Sequence, residues 1–171
     1  MKATILVTMF LVLLTSCVGA SSAPAPLGLS SKEIILSSWG NGAPEMAITV
    51  QGNWAYTTTK GPDFDIHRLT ADINGVFVTV YVGHHPRDVV SINATTVKVK
   101  VRTRPVIFYV TQREGSASAE AVMDGFFSGF EGPGVGELKL HIMAGAESPE
   151  LLATVFTAIA TLHPITKQAA R

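Results

Sequence analysis

Disulfides are excluded from the outset: the 171 residues contain one cysteine, Cys17, so no internal bridge can staple the fold. Net charge is also missing. Thirteen Lys and Arg cancel thirteen Asp and Glu, which removes whole-molecule attraction to nucleic acid, and no nucleic-acid partner is expected. No hydrophobic run is long enough to cross a bilayer as a helix; the longest, Ala3 to Leu14, is about a dozen residues. Catalytic signatures are absent too. There is no G-x-S-x-G elbow, since "GFFSG" carries its serine one place late, no H-E-x-x-H and no Walker loop. "GPGVGE" precedes a strand instead of opening a helix, so it is not a dinucleotide loop. No cofactor is called for, and no residue is assigned a catalytic role.

What is present begins with the amino-terminal run. Met1-Lys2 supplies a positive charge and Ala3 to Leu14 an apolar core, the pattern of an export signal over residues 1–16. Leu14-Thr15-Ser16-Cys17 then resembles the bacterial lipobox, in which the cysteine is lipidated (palmitate-type chains) and becomes the first mature residue. That explains the lone thiol. Each buried methylene adds about 0.8 kcal/mol of membrane affinity, so several acyl chains at Cys17 would anchor the chain. A cut after Ala20 or Ala23, discarding Cys17, is the competing reading. By resemblance to bacterial lipoproteins, Val18 lacks the Asp that causes inner-membrane retention, which favours a periplasm-facing position on the outer membrane.

Residues 17–31 are rich in Gly, Ala, Ser and Pro without charge or period, as expected of a tether reaching on the order of 20 Å. Residues 32–165 read as one domain and 166–171 as a short tail; with 47% of residues apolar and 15% charged, the chain suits a compact globule.

The domain reads as sheet closed by a helix. Met46–Val50 and Trp54–Thr59 are β-rich runs that Gly52-Asn53 would join as a hairpin. Phe64–Ala71 and Val76–Val82 flank Asn74-Gly75, and a two-residue turn there predicts Leu69 opposite Val80 and Asp65 opposite His84. "TTVKVKVRTRP" alternates Val97, Val99 and Val101 against Lys98, Lys100, Arg102 and Arg104. Val106–Thr111 and Leu138–Met143 make further strands. Ser118–Asp124 is read as a short helix. At the end, Ser148 is an N-cap, Pro149 the first helical residue, and Leu151, Leu152, Val155, Phe156, Ile159 and Leu162 an apolar stripe that ends before Pro164. The pattern predicts an α+β fold, an antiparallel sheet covered by helices.

"GPDFDIHRL", "VYVGHHP" and "LKLHIMAGAESPELLATVFTAIATL" resemble, in order, exported bacterial lipoproteins of unassigned function with a PsbP-like α-β-α sandwich. The resemblance implies that fold, binding to proteins or membranes, and no shared catalytic set; it transfers no site residues.

Three constellations compete for a role. Asp63, Asp65 and His67 share a strand face and, with His84 and His85, would bring carboxylates and imidazoles to one sheet end, a donor set for a zinc-like metal or an acid–base pair. The same residues are common where strands run into turns, and that reading is preferred. Lys98, Lys100, Arg102 and Arg104 would form a row spaced about 6.8 Å apart, facing lipid headgroups or an acidic partner; a solvated face whose repulsion blunts edge-to-edge aggregation is the preferred reading. Phe126, Phe127 and Phe130 in a glycine-rich loop are either an exposed protein contact or a plug between helix and sheet. His141 and His163 are isolated and read as structural. The preferred function is a non-enzymatic, lipid-anchored binding protein with a protein partner. Alternatives are an enzyme built on Asp63, Asp65, His67 and His84, or an immunity-type inhibitor of a toxin.

Overall fold

The computed structural model describes residues 30–38, 43–73, 75–89 and 93–165. Cys17, the run 1–16 read as an export signal, residues 17–29 of the expected tether and the expected tail 166–171 lie outside the described residues. Strand β1 (Ser31–Leu36) pairs antiparallel with β2 (Met46–Gln51), and β2 also pairs with the two-residue β10 (His163–Pro164), giving a small three-stranded sheet. The large sheet contains β3 (Trp54–Lys60), β4 (Phe64–Ala71), β5 (Phe77–Gly83), β6 (Thr95–Val101), β7 (Arg104–Arg113), β8 (Ser116–Met123) and β9 (Lys139–Ala146). All of its pairings are antiparallel, in the order β3-β4-β5-β9-β8-β7-β6.

One face of the large sheet makes the core. Val78, Val80 and Val82 of β5, Leu140 and Ile142 of β9 and Phe108 of β7 are all at most 1% exposed. They join one hydrophobic cluster with Leu36, Met46 and Ile48 of the small sheet. Helix α1 (Pro149–Ala160) lies on the same side and touches β2, β5, β6, β8 and β9. Its start follows the sequence: the Ser148 hydroxyl accepts from the Leu151 N–H, Pro149 occupies the first turn, and a hydrogen bond from Ser148 holds the Glu150 carboxyl below its usual range. Leu152, Val155 and Ile159 are buried on its inner face, and Phe156 meets Phe108 edge to face at 5.2 Å between centroids. The architecture is α+β, with antiparallel sheets and a C-terminal helix. Among the described residues α1 is the one α-helix, and none is long and apolar enough to cross a membrane.

Three local expectations are corrected. Met46–Gln51 and Trp54–Lys60 are strands but do not form a hairpin, because the chain changes sheets at Gly52-Asn53. There the Gly52 N–H is taken by the Ser30 carbonyl instead of a β3 partner. The β4–β5 hairpin exists, but its register is displaced by two residues: Leu69 faces Val78 and Asp65 faces Val82. Asp72 donates its N–H to Asn53 at the head of β3, and Ala71 N–H bonds Val76, so the loop is longer than a two-residue turn. A slip of two preserves side-chain parity, which is why the valine stripe is buried all the same. Ser118–Asp124 is no helix. Ala117, Ala119, Ala121 and Met123 are buried alternately, and that period of two overrides the helix propensity of Ala and Glu. A tight Glu114-Gly115 turn, with Gly115 at φ 69°, feeds β8 back along β7.

Candidate functional site

The acid–histidine group seen in the sequence does not converge. Asp65 and His67 point from β4 into the protein, each 1% exposed, whereas Asp63 is exposed in the preceding turn. His84 is not opposite Asp65; it lies past the end of β5 near His85, ring centroids 6.3 Å apart. No set of three or more His, Cys, Asp or Glu side chains with metal-holding geometry occurs among the described residues. His67 Nδ1 lies 2.9 Å from the Tyr56 hydroxyl on neighbouring β3. Burial pulls the His67 imidazole down to about 4, against the upward pull of Asp65, and pushes the Tyr56 phenol up. Both are therefore neutral at pH 7, held in place as internal packing.

The glycine-rich loop is packing as well. Phe127 is 0% and Phe126 6% exposed, and Phe130 packs against the same core. The three rings meet edge to face in sequence, at 5.0 and 6.4 Å between centroids. Of the two roles the sequence left open for these rings, their burial fits the plug.

The basic row is broken. β6 ends at Val101, and Arg102, at φ 53°, turns the chain so that Arg104 starts β7 opposite Val101. Arg104 sits on the other side from Lys98 and Lys100 and ties down the glycine loop, donating to the Gly125 carbonyl at 2.6 Å and the Ser128 hydroxyl at 2.9 Å. Lys98 and Lys100 remain together, exposed on β6.

Their side of the sheet is the functional candidate. The strand face turned away from α1 carries no helix among the described residues, and registers place Arg68, Lys98, Lys100, Arg113 and Lys139 on it. The same strand faces contribute one acid, Glu120. Asp124, in the following loop, pairs with Lys139 at 3.5 Å, whereas no ion pair joins Arg68, Lys98, Lys100 or Arg113 among the described residues. Thus a chain with no net charge turns a basic face outward.

Glu120 is the hub of this face. The segment after β5 lays Arg87 across the strands, where its guanidinium meets Glu120 Oε1 at 3.0 Å. His141 of β9, 2% exposed, holds the same oxygen at 2.6 Å through Nε2. Burial lowers the His141 imidazole despite the raising effect of Glu120, so a neutral ring donates its Nε2–H to the carboxylate. Arg87 divides the face into two open hollows. One, about 570 Å³, is lined by Pro86, Asp88, Ile107, Tyr109 and Lys139 among others. The second, about 340 Å³, is lined by Arg68, Phe77, Thr79, Thr111 and Met143, with Arg87 and Glu120 at its boundary.

The walls follow from close backbone contact. Phe77 lies over Gly145, where a Cβ would come within 2.3 Å of the ring. The Arg68 guanidinium in turn sits 4.6 Å above the Phe77 centroid. Apart from Glu120, already engaged by Arg87 and His141, the side chains around the second hollow are hydrogen-bond donors, hydroxyls and apolar groups. Such a surface suits an anion carried on a partly apolar body.

Sequence reasoning placed Lys98 and Lys100 here but missed Arg68, Arg87, Tyr109, Glu120 and His141. The alternation in "SASAEAVM" was the available signal, since it puts Glu120 on the face opposite the buried alanines. Comparison with protein-family models, curated proteins and solved structures gave no match.

Proposed function

We propose that this chain is an exported bacterial lipoprotein, acylated at Cys17, that acts without catalysis by binding an anionic partner at the cell envelope. The partner docks on the basic outer face of the large sheet. The observation that carries the reading is that face: open, bearing Arg68, Lys98, Lys100 and Arg113 with no ion pair among the described residues, in a molecule of zero net charge. The tether is supported by the sequence, where the lone thiol stands in a lipobox behind an export signal. The partner is a protein with an acidic surface, since the two hollows interleave apolar groups such as Ile107 and Met143 with the charges.

The likeness to PsbP-like lipoproteins belongs to this proposal. An antiparallel sheet with a C-terminal helix on one face supports it; an α-β-α sandwich also needs a helical layer on the second face, which the described residues do not supply. An enzyme built on Asp63, Asp65, His67 and His84 has no support from their positions. An immunity-type inhibitor is one form that binding to an acidic protein could take.

Site-specific photo-cross-linking in intact cells tests the reading. A cross-linker at Ile107, 51% exposed on the outer face, is expected to capture a protein. Placed at Thr157, exposed on α1, it should not. Equal capture from both positions, or none from Ile107, would contradict the assignment. Intact mass measurement of membrane-extracted protein should show a chain beginning at Cys17 with acyl groups; an unmodified product beginning beyond it would remove the anchor.

A further inference from the structure

Exposed sheet edges are templates for pairing with another strand, and proteins usually blunt them with charge, proline or brevity. The edges here differ in this respect. β6 alternates Lys98 and Lys100 along its length, β1 opens with Lys32 and Glu33, and β10 has two residues, one of them Pro164. β3, the other edge of the large sheet among the described residues, runs Trp54-Ala55-Tyr56-Thr57-Thr58-Thr59 without charge, proline or glycine before Lys60 closes it. All seven residues are at least partly exposed.

The strand is also complementary to itself. Antiparallel pairing about Thr57 sets Thr57 against Thr57 of a second copy, Tyr56 against Thr58, Ala55 against Thr59 and Trp54 against Lys60. Threonine pairs and an aromatic facing a β-branched residue are favourable cross-strand neighbours. Lys60, the only charge in β3, therefore lies opposite Trp54 in this register and never opposite itself. The same operation on β6 about Lys98 would oppose two lysines.

A competing occupant is the chain's own segment before β1. Gly52 N–H, two residues along the chain from the head of β3, bonds the Ser30 carbonyl at 3.2 Å. Pro24 and Pro26 lie in that segment, and each removes a backbone donor that a ladder needs. A second copy fits better.

We infer that β3 is a dimerisation edge: two copies pair β3 antiparallel about Thr57, fusing their large sheets into one. This is independent of the anion-binding role, because the basic outer face stays open in both copies.

Full-length protein carrying Thr57→Cys, oxidised in the membranes of expressing cells, is expected to run as a disulfide-linked dimer on a non-reducing gel. Lys98→Cys on the opposite edge, and the unsubstituted chain with Cys17 alone, should give monomer. Sedimentation equilibrium of the full-length protein in detergent should report a dimer, weakened about tenfold or more by Thr57→Lys, which opposes two ammonium groups. An unchanged melting temperature for Thr57→Lys would show that the fold survives the substitution. A full-length protein that stays monomeric, a Thr57→Lys dimer as tight as the original, or equal cross-linking from position 98 would overturn the inference. So would β3 amides protected from exchange in a monomer, which would assign the edge to residues 17–29.

Discussion

At the scale of single residues, the internal histidine makes the sharpest claim. His67 is buried neutral, with its imidazole pulled down to about 4. In the unfolded chain the same group titrates near 6.5. Between those values the unfolded state binds the additional proton, so stability rises with pH there and is lost as pH falls. The expected loss from pH 7 to pH 4 is about 3 kcal/mol from this group, and the lowered His141 adds in the same direction. Urea unfolding across that range should show the loss, and His67→Gln should flatten most of it. A pH profile unchanged by His67→Gln would contradict the burial assigned to this ring. Phe127 makes a second claim at this scale. With the ring 0% exposed, Phe127→Ala should cost about 3–5 kcal/mol in the same assay. An exposed contact residue at that position would cost a few tenths of that.

At the scale of elements, sequence pattern and structure agree where one face of a strand is plainly apolar. The valines of β5 and β6 and the stripe of α1 announce themselves by period. Disagreement has two physical sources. Propensity misleads when small residues line the core: β8 buries alanines on the sheet face that α1 covers, yet Ala and Glu read as helix formers. Turn chemistry also names a bend without naming the partners it joins. Gly52-Asn53 separates strands of two different sheets, and only the non-local pairing of β1 with β2 reveals it. The turn at Arg102 illustrates the same limit. Alternation through Arg102 and Arg104 hid a reversal held by a non-glycine residue at φ 53°, a conformation that costs an L residue about 1 kcal/mol or more. Arg102→Asn, which tolerates it, should raise stability by about 1 kcal/mol. Thermal melts check this; a fall in melting temperature would assign the arginine side chain a structural bond of its own.

At the scale of the molecule, the candidate site was nearly illegible in the sequence because its parts come from separate strands. Arg87 and Glu120 lie 33 residues apart and Glu120 and His141 lie 21 apart, and nothing local links them. Lys98 and Lys100 were visible as an alternating pair. What made them part of a face was the strand order, which sets Arg68 and Arg113 on the same side. The balanced composition concealed this, since of the thirteen acids only Glu120 stands on the outward strand faces of the large sheet, and the others cancel the sum from elsewhere in the chain. Attraction through such a face is screened as salt approaches physiological strength, where the Debye length is about 8 Å.

The most direct measurement separates docking from anchoring. A chain beginning at Val18, lacking Cys17 and with it the proposed acyl anchor, is mixed with isolated cell envelopes and sedimented at low and high salt. The basic face predicts that it pellets at low salt, is released as salt rises, and stays in the supernatant when Arg68, Lys98, Lys100 and Arg113 are all changed to Gln without loss of fold. A chain that never pellets, or a quadruple variant that pellets as well as the original, would contradict the assignment of this face.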